Sequence, residues 1–157
     1  MHTMKSKAHV KDPFQYLSDD HRKVETLFAK IEETTEKDVE KRENAFSELY
    51  NLLTQHSELE ETTLYPKLRK IEETRPLSQE AVVEHAQAKK LLADLADMEV
   101  DSEEWTAEMK VLQEDISHHI KEEEGEMFPE AKTALGEVGI REVAEEMERF
   151  LAEPVEE

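Results

Sequence analysis

Apolar residues recur at i, i+3 and i+7 along most of this chain, the spacing that gathers one face of an α-helix. The first stripe is Phe14, Leu17, Val24, Leu27, Phe28 and Ile31, opened by Asp12 as a cap and Pro13 in the first turn and ending near Thr34. A second helix, from about Asp38 to Leu68, carries Phe46, Leu49, Leu53 and Leu64, and Pro66 is expected to kink it or end its regular part. Residues 72–76 read as a connection. Ser78 then caps a third helix with Val82, Leu92, Leu95 and Ala96 inward, and Asp101 with Glu104 has the spacing that opens a fourth. That fourth stripe is Trp105, Met109, Leu112 and Ile116, and a shorter helix over 137–152 presents Ile140, Val143, Met147 and Phe150. Four long helices with short connections predict an all-α, up-down-up-down four-helix bundle with a short extra C-terminal helix. The domain plan is a flexible tail over 1–11, the bundle over 12–135, and a C-terminal helix and tail over 136–157 that packs on the bundle.

The stripes are interrupted by polar residues in the inward register. His21 lies in the first, His56 and Glu60 in the second, His85 in the third, and His119 and Glu123 in the fourth. The chain also repeats. His21 and His85 are 64 positions apart, His56 and His119 are 63 apart, and Glu at +4 and +5, an aromatic at +9 and Pro at +10 follow both of the latter. About one residue in five is Glu, so a bare His-x-x-x-Glu match means little by itself. His118 with Glu122 shows this: the pair has the spacing but sits one position off the stripe, which makes His118 a boundary residue or one that supports a ligand from behind, and Glu122 solvated. A lone inward His is ordinarily a core residue bonded to a neighbouring carboxylate or carbonyl. Four of them with two inward Glu are another matter, since each unpartnered buried polar group costs about 1–3 kcal/mol and a carboxylate costs more. Two divalent cations would satisfy all six groups, with Glu60 and Glu123 bridging.

Composition narrows the chemistry. With 40 Asp and Glu against 20 Lys and Arg in 157 residues the net charge is −20, which repels phosphate backbones and anionic membranes, so neither nucleic acid nor membrane is expected as a partner. There is no cysteine, which excludes disulfides, thiolate metal sites and iron–sulfur clusters. No apolar run is long enough to cross a bilayer, and the expected location is cytoplasmic.

The pattern His21, His56-x-x-x-Glu60, His85, His119-x-x-x-Glu123 resembles the hemerythrin-like family with its HHE cation-binding repeats, over about residues 12–132. The resemblance implies an oxo- or hydroxo-bridged pair of non-haem iron ions inside the bundle, with an open position for O2 or NO. Carried over residue by residue, the ligands are His21, His56, Glu60, His85, His119 and Glu123. Two departures stand out. Oxygen-carrying members have a further His where this chain has Lys89, and they place the last carboxylate at +5, which would select Glu124; the internal repeat favours Glu123. Glu25, one turn past His21, is at the depth of Lys89, either to pair with it or to replace the missing ligand.

Two functions follow from that resemblance. One is a metal protein that binds or senses O2, NO or iron, a monomer or weak homodimer; the other is a di-iron peroxidase, oxidase or NO-consuming enzyme, with no substrate pocket legible in the sequence. A metal-free interaction bundle is the third reading, disfavoured by the buried polar set. Trp105, Met109 and Phe46 read as core, Tyr65 and Phe128 as packing where the helices bend, and Tyr50 as exposed.

Overall fold

The structure, a computed structural model, describes residues 9–153. Helix α1 spans Pro13–Glu32, and the Asp12 carboxylate caps it by accepting from the backbone N–H groups of Phe14 and Gln15. Helix α2 spans Val39–Leu59 and passes through a π-helical stretch, Glu60–Leu64, into the short α3, Tyr65–Arg69. Helix α4 is Arg75–Ala96, and α5 is Glu103–Glu122, followed by a second π-helical stretch, Glu123–Met127, and by α6, Phe128–Ala152. The α1–α2 and α4–α5 pairs pack as two hairpins and together form the four-helix bundle.

Two helix starts differ from the sequence reading. Helix α4 begins at Arg75 rather than Ser78, because Pro76, which has no N–H to leave unsatisfied, sits in its first turn. Ser78 is buried within the helix, where its hydroxyl donates to the Arg75 carbonyl. Helix α5 is capped by Ser102, whose Oγ accepts from the Trp105 N–H, and not by Asp101. Within α4 the buried face is Ser78, Ala81, His85, Leu92 and Leu95, so that Val82 is half-buried and Ala96 exposed. The expected tail lies mostly outside the described residues. Its end does not: Val10 is buried, and its N–H donates to Glu148 at 2.8 Å.

The apolar core is in two parts. One contains Val24, Phe28, Leu49, Leu95, Trp105 and Leu112; the other contains Phe14, Leu17, Leu59, Tyr65, Phe128 and the buried face of α6. The inward His of each bundle helix falls between residues of the two parts, as His21 falls between Leu17 and Val24 and His56 between Leu53 and Leu59. A polar layer therefore crosses the bundle, and Val143, Met147 and Leu151 of α6 cover the core on one side of it. At the other end the buried Arg42 side chain donates to Thr34, to the Val100 carbonyl and to Thr106, with its guanidinium 4.8 Å from the Trp105 ring centroid. It ties the end of α1 to the α4–α5 connection.

Helix α6 is broken at Gly136, with φ 67° and ψ 179°, a conformation essentially reserved for glycine. Gly136→Ala is expected to cost about 1–3 kcal/mol, or a fall in Tm of a few degrees. Gly125, which has a negative φ and open space around its Cα, should accept Ala with no loss. Thermal melts of the two variants check the contrast.

Candidate metal centre

Six side chains meet in the polar layer: His21 from α1, His56 and Glu60 from the end of α2, His85 from α4, and His119 and Glu123 from the end of α5. All six are buried. His21 Nε2 lies 3.0 Å and His119 Nε2 3.4 Å from the Glu123 carboxylate, and His56 Nε2 lies 3.3 Å and His85 Nε2 3.2 Å from Glu60 Oε1. Most of these contacts are not hydrogen bonds. The Nε2 atoms of His21, His56 and His119, both oxygens of Glu60, and Glu123 Oε1 are buried without a hydrogen-bond partner.

Each ring is held from behind. His21 Nδ1 is 2.6 Å from Glu124, His56 Nδ1 3.0 Å from Asp20, His85 Nδ1 2.7 Å from Glu61, and His119 Nδ1 2.6 Å from Glu84. A carboxylate only accepts, so Nδ1 carries the hydrogen and each ring turns its Nε2 to the centre, where a bound cation would meet the lone pair of the neutral form. The four acids obey the repeat. Glu61 and Glu124 are the +5 residues, and each reaches the first His of the opposite hairpin; Asp20 and Glu84 immediately precede His21 and His85, and each holds the second His of its own hairpin. Glu124 is therefore behind His21, where Arg22 also pairs with it, while Glu123 faces the centre. The sequence reading registered Glu61 only as part of the repeat and Glu124 only as a rival ligand, and missed the −1 acids; their recurrence in both copies was the available signal.

The π-helical stretches explain how an aromatic joins each glutamate in the layer. Each begins at its glutamate and closes with an i→i−5 hydrogen bond, Tyr65 N–H to the Glu60 carbonyl and Phe128 N–H to the Glu123 carbonyl. Pro66 and Pro129, lacking an N–H, follow at once. The bulge carries the aromatic at +9 into the layer. Phe128 stacks on His21 with centroids 6.1 Å apart and rings within 5° of parallel. Tyr65, expected to be packing alone, donates from its hydroxyl to Glu123 Oε2 at 2.6 Å and lies 3.3 Å from His85 Nε2.

With protons as the only cations, the neighbouring carboxylates favour the charged form of His56, His85 and His119. Burial opposes a charge on His56, but Glu60 beside it and the hydrogen bond to Asp20 outweigh burial and raise its pKa to about 10. Burial also opposes a charge on His119, and Glu123 and Glu84 raise it to about 11. Burial favours a neutral Glu123, yet the imidazoles of His119 and His21 hold it well below the usual carboxylate range. Burial pushes the Tyr65 phenol well up, and the charges of Glu123 and Glu60 push it further.

The donor set fits metal ions. His21, His56, Glu60 and Glu123 offer donor atoms within 4.8 Å of one another, and so do Glu60, His85, His119 and Glu123. Both carboxylates belong to both sets. Donors roughly 2.1 Å from one ion and at right angles to one another stand about 3 Å apart, close to the His–Glu separations above. Oxygen and imidazole donors without thiolate suit a hard or borderline divalent ion.

Glu25 and Lys89 do not enter the centre. Glu25 pairs with Arg22 at 3.3 Å on the surface, and Lys89 is exposed on the wall of a cavity of about 400 Å³. This cavity was not foreseen from the sequence. Val24, Leu53, Leu92 and Ile116 line it, and it reaches all four histidines.

The similarities of the chain agree with this geometry. Residues 12–131 match the family described as Hemerythrin HHE cation binding domain. A hemerythrin HHE cation binding domain-containing protein of Mycobacterium kansasii has the same fold, with a TM-score of 0.77 at 24% identity over 89% of this chain and 85% of that one. A DNA nickase of Nostoc sp. is 28% identical over 116 residues, which are 74% of this chain and 32% of the nickase. The chain thus spans about a third of that relative's length.

Without metal, the folded-state pKa values of His56 and His119 lie above the ordinary value of 6.5. Their contribution to stability is fully present below about pH 6.5 and is lost as pH rises through about 10 to 11. The Tm of metal-free protein should therefore fall steadily from neutral to strongly alkaline pH, and that of metal-loaded protein should fall less, since a bound cation needs the neutral rings. A pH series of melts with and without metal measures both.

Proposed function

The chain belongs to the hemerythrin HHE cation-binding domain family, and from that premise we propose that it is a non-haem di-iron protein that binds or senses O2 or NO. The observation that carries this reading is the sharing of Glu60 and Glu123 between two donor sets. Two overlapping sets of buried donors suit two ions held close together. When bound, a pair of iron ions supplies one-electron redox chemistry and an open position for a small diatomic ligand.

The chain's own groups do the rest. His21, His56, His85 and His119 would hold the ions from the outer side, and Glu60 and Glu123 would supply the carboxylates common to both donor sets and balance the charge of the ions. Asp20, Glu61, Glu84 and Glu124 fix the rings against rotation. Tyr65, kept protonated by its surroundings, holds a hydrogen at Glu123 Oε2 in the centre of the layer. The two core clusters close the layer along the bundle, and the cavity opens onto it from the side.

One observation favours a second reading, a di-iron enzyme of the peroxidase, oxidase or NO-consuming type. The cavity beside the histidines, about 400 Å³, is an order of magnitude larger than the volume of roughly 30 Å³ taken by one water in the liquid. A diatomic ligand needs no such space, whereas a small organic substrate does. The nicking activity of the Nostoc relative is not carried over, because a net charge of −20 opposes DNA. None of the described helices is long and apolar enough to cross a membrane. We place the protein in the cytoplasm as a monomer or weak homodimer.

Anaerobic loading with Fe(II) followed by iron analysis should give about two ions per chain, with oxo-bridge absorption bands on exposure to air. Reversible bleaching without hydrogen peroxide release supports binding or sensing, and turnover of peroxide or NO supports the enzyme. His56→Ala and His119→Ala should each lower final iron content and Tm, whereas His118→Ala should leave both near wild type. A chain that takes up no Fe(II) and gains no thermal stability from it would sink both readings.

A further inference from the structure

Of the four acids that hold the imidazoles from behind, one is shared with a cation. Glu124 Oε2 lies 2.6 Å from His21 Nδ1, and the guanidinium of Arg22 donates to that same oxygen. Its other terminal nitrogen pairs with Glu25 at 3.3 Å, one turn along α1. Among the described residues, Asp20, Glu61 and Glu84 pair with their histidines and with no Lys or Arg.

The internal repeat supplies a comparison within the molecule. Glu61 stands to His85 as Glu124 stands to His21, and His85 Nδ1 lies 2.7 Å from it. The residue after His21 is Arg22, but the residue after His85 is Ala86. Both positions are exposed and outside the core. The guanidinium is therefore not needed to keep an acid behind an imidazole, since Glu61 stays there without one.

A carboxylate that accepts from Nδ1 enriches the ring and makes Nε2 a stronger donor. A guanidinium on the same oxygen makes a charge-assisted bond of its own and draws part of that charge away. We propose that Arg22 is a positioning residue that acts through Glu124 to make His21 the weakest donor of the four histidines, so that an iron ion held by His21 is easier to reduce than one behind an unshared acid. The proposal rests on the di-iron reading above and deepens it. Hydrogen bonding behind a ligand is one of the levers that set an iron potential. An iron(II) ion that gives up its electron less readily favours holding a diatomic ligand over reducing it.

The test takes full-length protein loaded with iron and titrates it with redox mediators, each step moving one electron from a mediator to one Fe(III) ion. Loss of the oxo-bridge absorption bands reports the steps in wild type, Arg22→Gln, Arg22→Lys and Ala86→Arg. Lys23→Gln is the charge control, since Lys23 is exposed and, among the described residues, forms no ion pair with the orienting acids. In Arg22→Gln one of the two steps should become about tenfold less favourable, a fall of about 59 mV for one electron, with iron content and Tm as in wild type. Arg22→Lys, which keeps the charge, should return that step towards wild type, and Ala86→Arg should raise the other step. In metal-free protein, NMR should show the His21 Nδ1 hydrogen moving downfield in Arg22→Gln as its bond to Glu124 strengthens. Unmoved or raised potentials in Arg22→Gln overturn the proposal, as does an equal fall in Lys23→Gln, which would assign the effect to bulk charge. Reduced iron content in Arg22→Gln also overturns it, because Arg22 would then serve to hold the ligand in place. An unmoved His21 resonance overturns it whether or not iron binds, whereas a wild-type chain that takes up no iron removes the di-iron reading itself.

Discussion

Two carboxylates, Glu60 and Glu123, are buried at the middle of a four-helix bundle with nothing but imidazoles and one phenol around them. An uncompensated charge in such a place is prohibitively costly, so the structure around them is arranged to bring positive charge to those oxygens. Four histidines from four helices turn their Nε2 atoms to them, and a second ring of acids keeps each imidazole oriented. The apolar core is split in two because this layer has to pass through it. The stability of the bundle and the chemistry of the centre are for that reason one problem: whatever neutralises Glu60 and Glu123, proton or metal, also holds the helices together.

The backbone meets that demand with the two π-helical stretches. A regular helix through Glu60 would keep Tyr65 on its own periodic stripe, and the widened turn instead sets Glu60 and Tyr65 both into the layer. Proline at +10 is the visible mark of this device, since the wider turn leaves the next N–H without a regular partner and proline has none to leave. Helix α6 is the second consequence. It continues from the π-stretch at Phe128 as far as the break at Gly136, then returns its apolar face to the core beside Tyr65 and Phe128.

Much of this was legible in the chain. The stripes located the four bundle helices and the C-terminal helix, and the inward register picked out the six residues that the structure brings together. The orienting role of the four acids escaped notice for a physical reason. Asp20 and Glu84 sit one position off the inward stripe, where an acidic helix face looks the same whether it serves water or an imidazole on the neighbouring helix. Only the packing between helices tells them apart. Tyr65 escaped because periodicity assumes 3.6 residues per turn, and the π-stretch breaks that assumption in the few residues where it mattered. The helix start at Glu103 turned on which of two adjacent candidates, Asp101 or Ser102, takes the cap, which pattern alone leaves open, and the start at Arg75 turned on Pro76 taking a place in the first turn. The Glu25–Lys89 pairing failed because equal depth along two helices does not bring side chains together when both point to solvent.

The aromatic at +9 differs between the two copies, Tyr65 in one and Phe128 in the other, and each lies against the histidine that the opposite hairpin's +5 acid steadies. A perfectly duplicated hairpin would make a centre with interchangeable ends. One hydroxyl group removes that equivalence: the end beside His85 has a hydrogen to share, and the end beside His21 has only a hydrocarbon face. The centre thereby acquires a polarity, and two chemically identical ions placed in it would no longer behave alike.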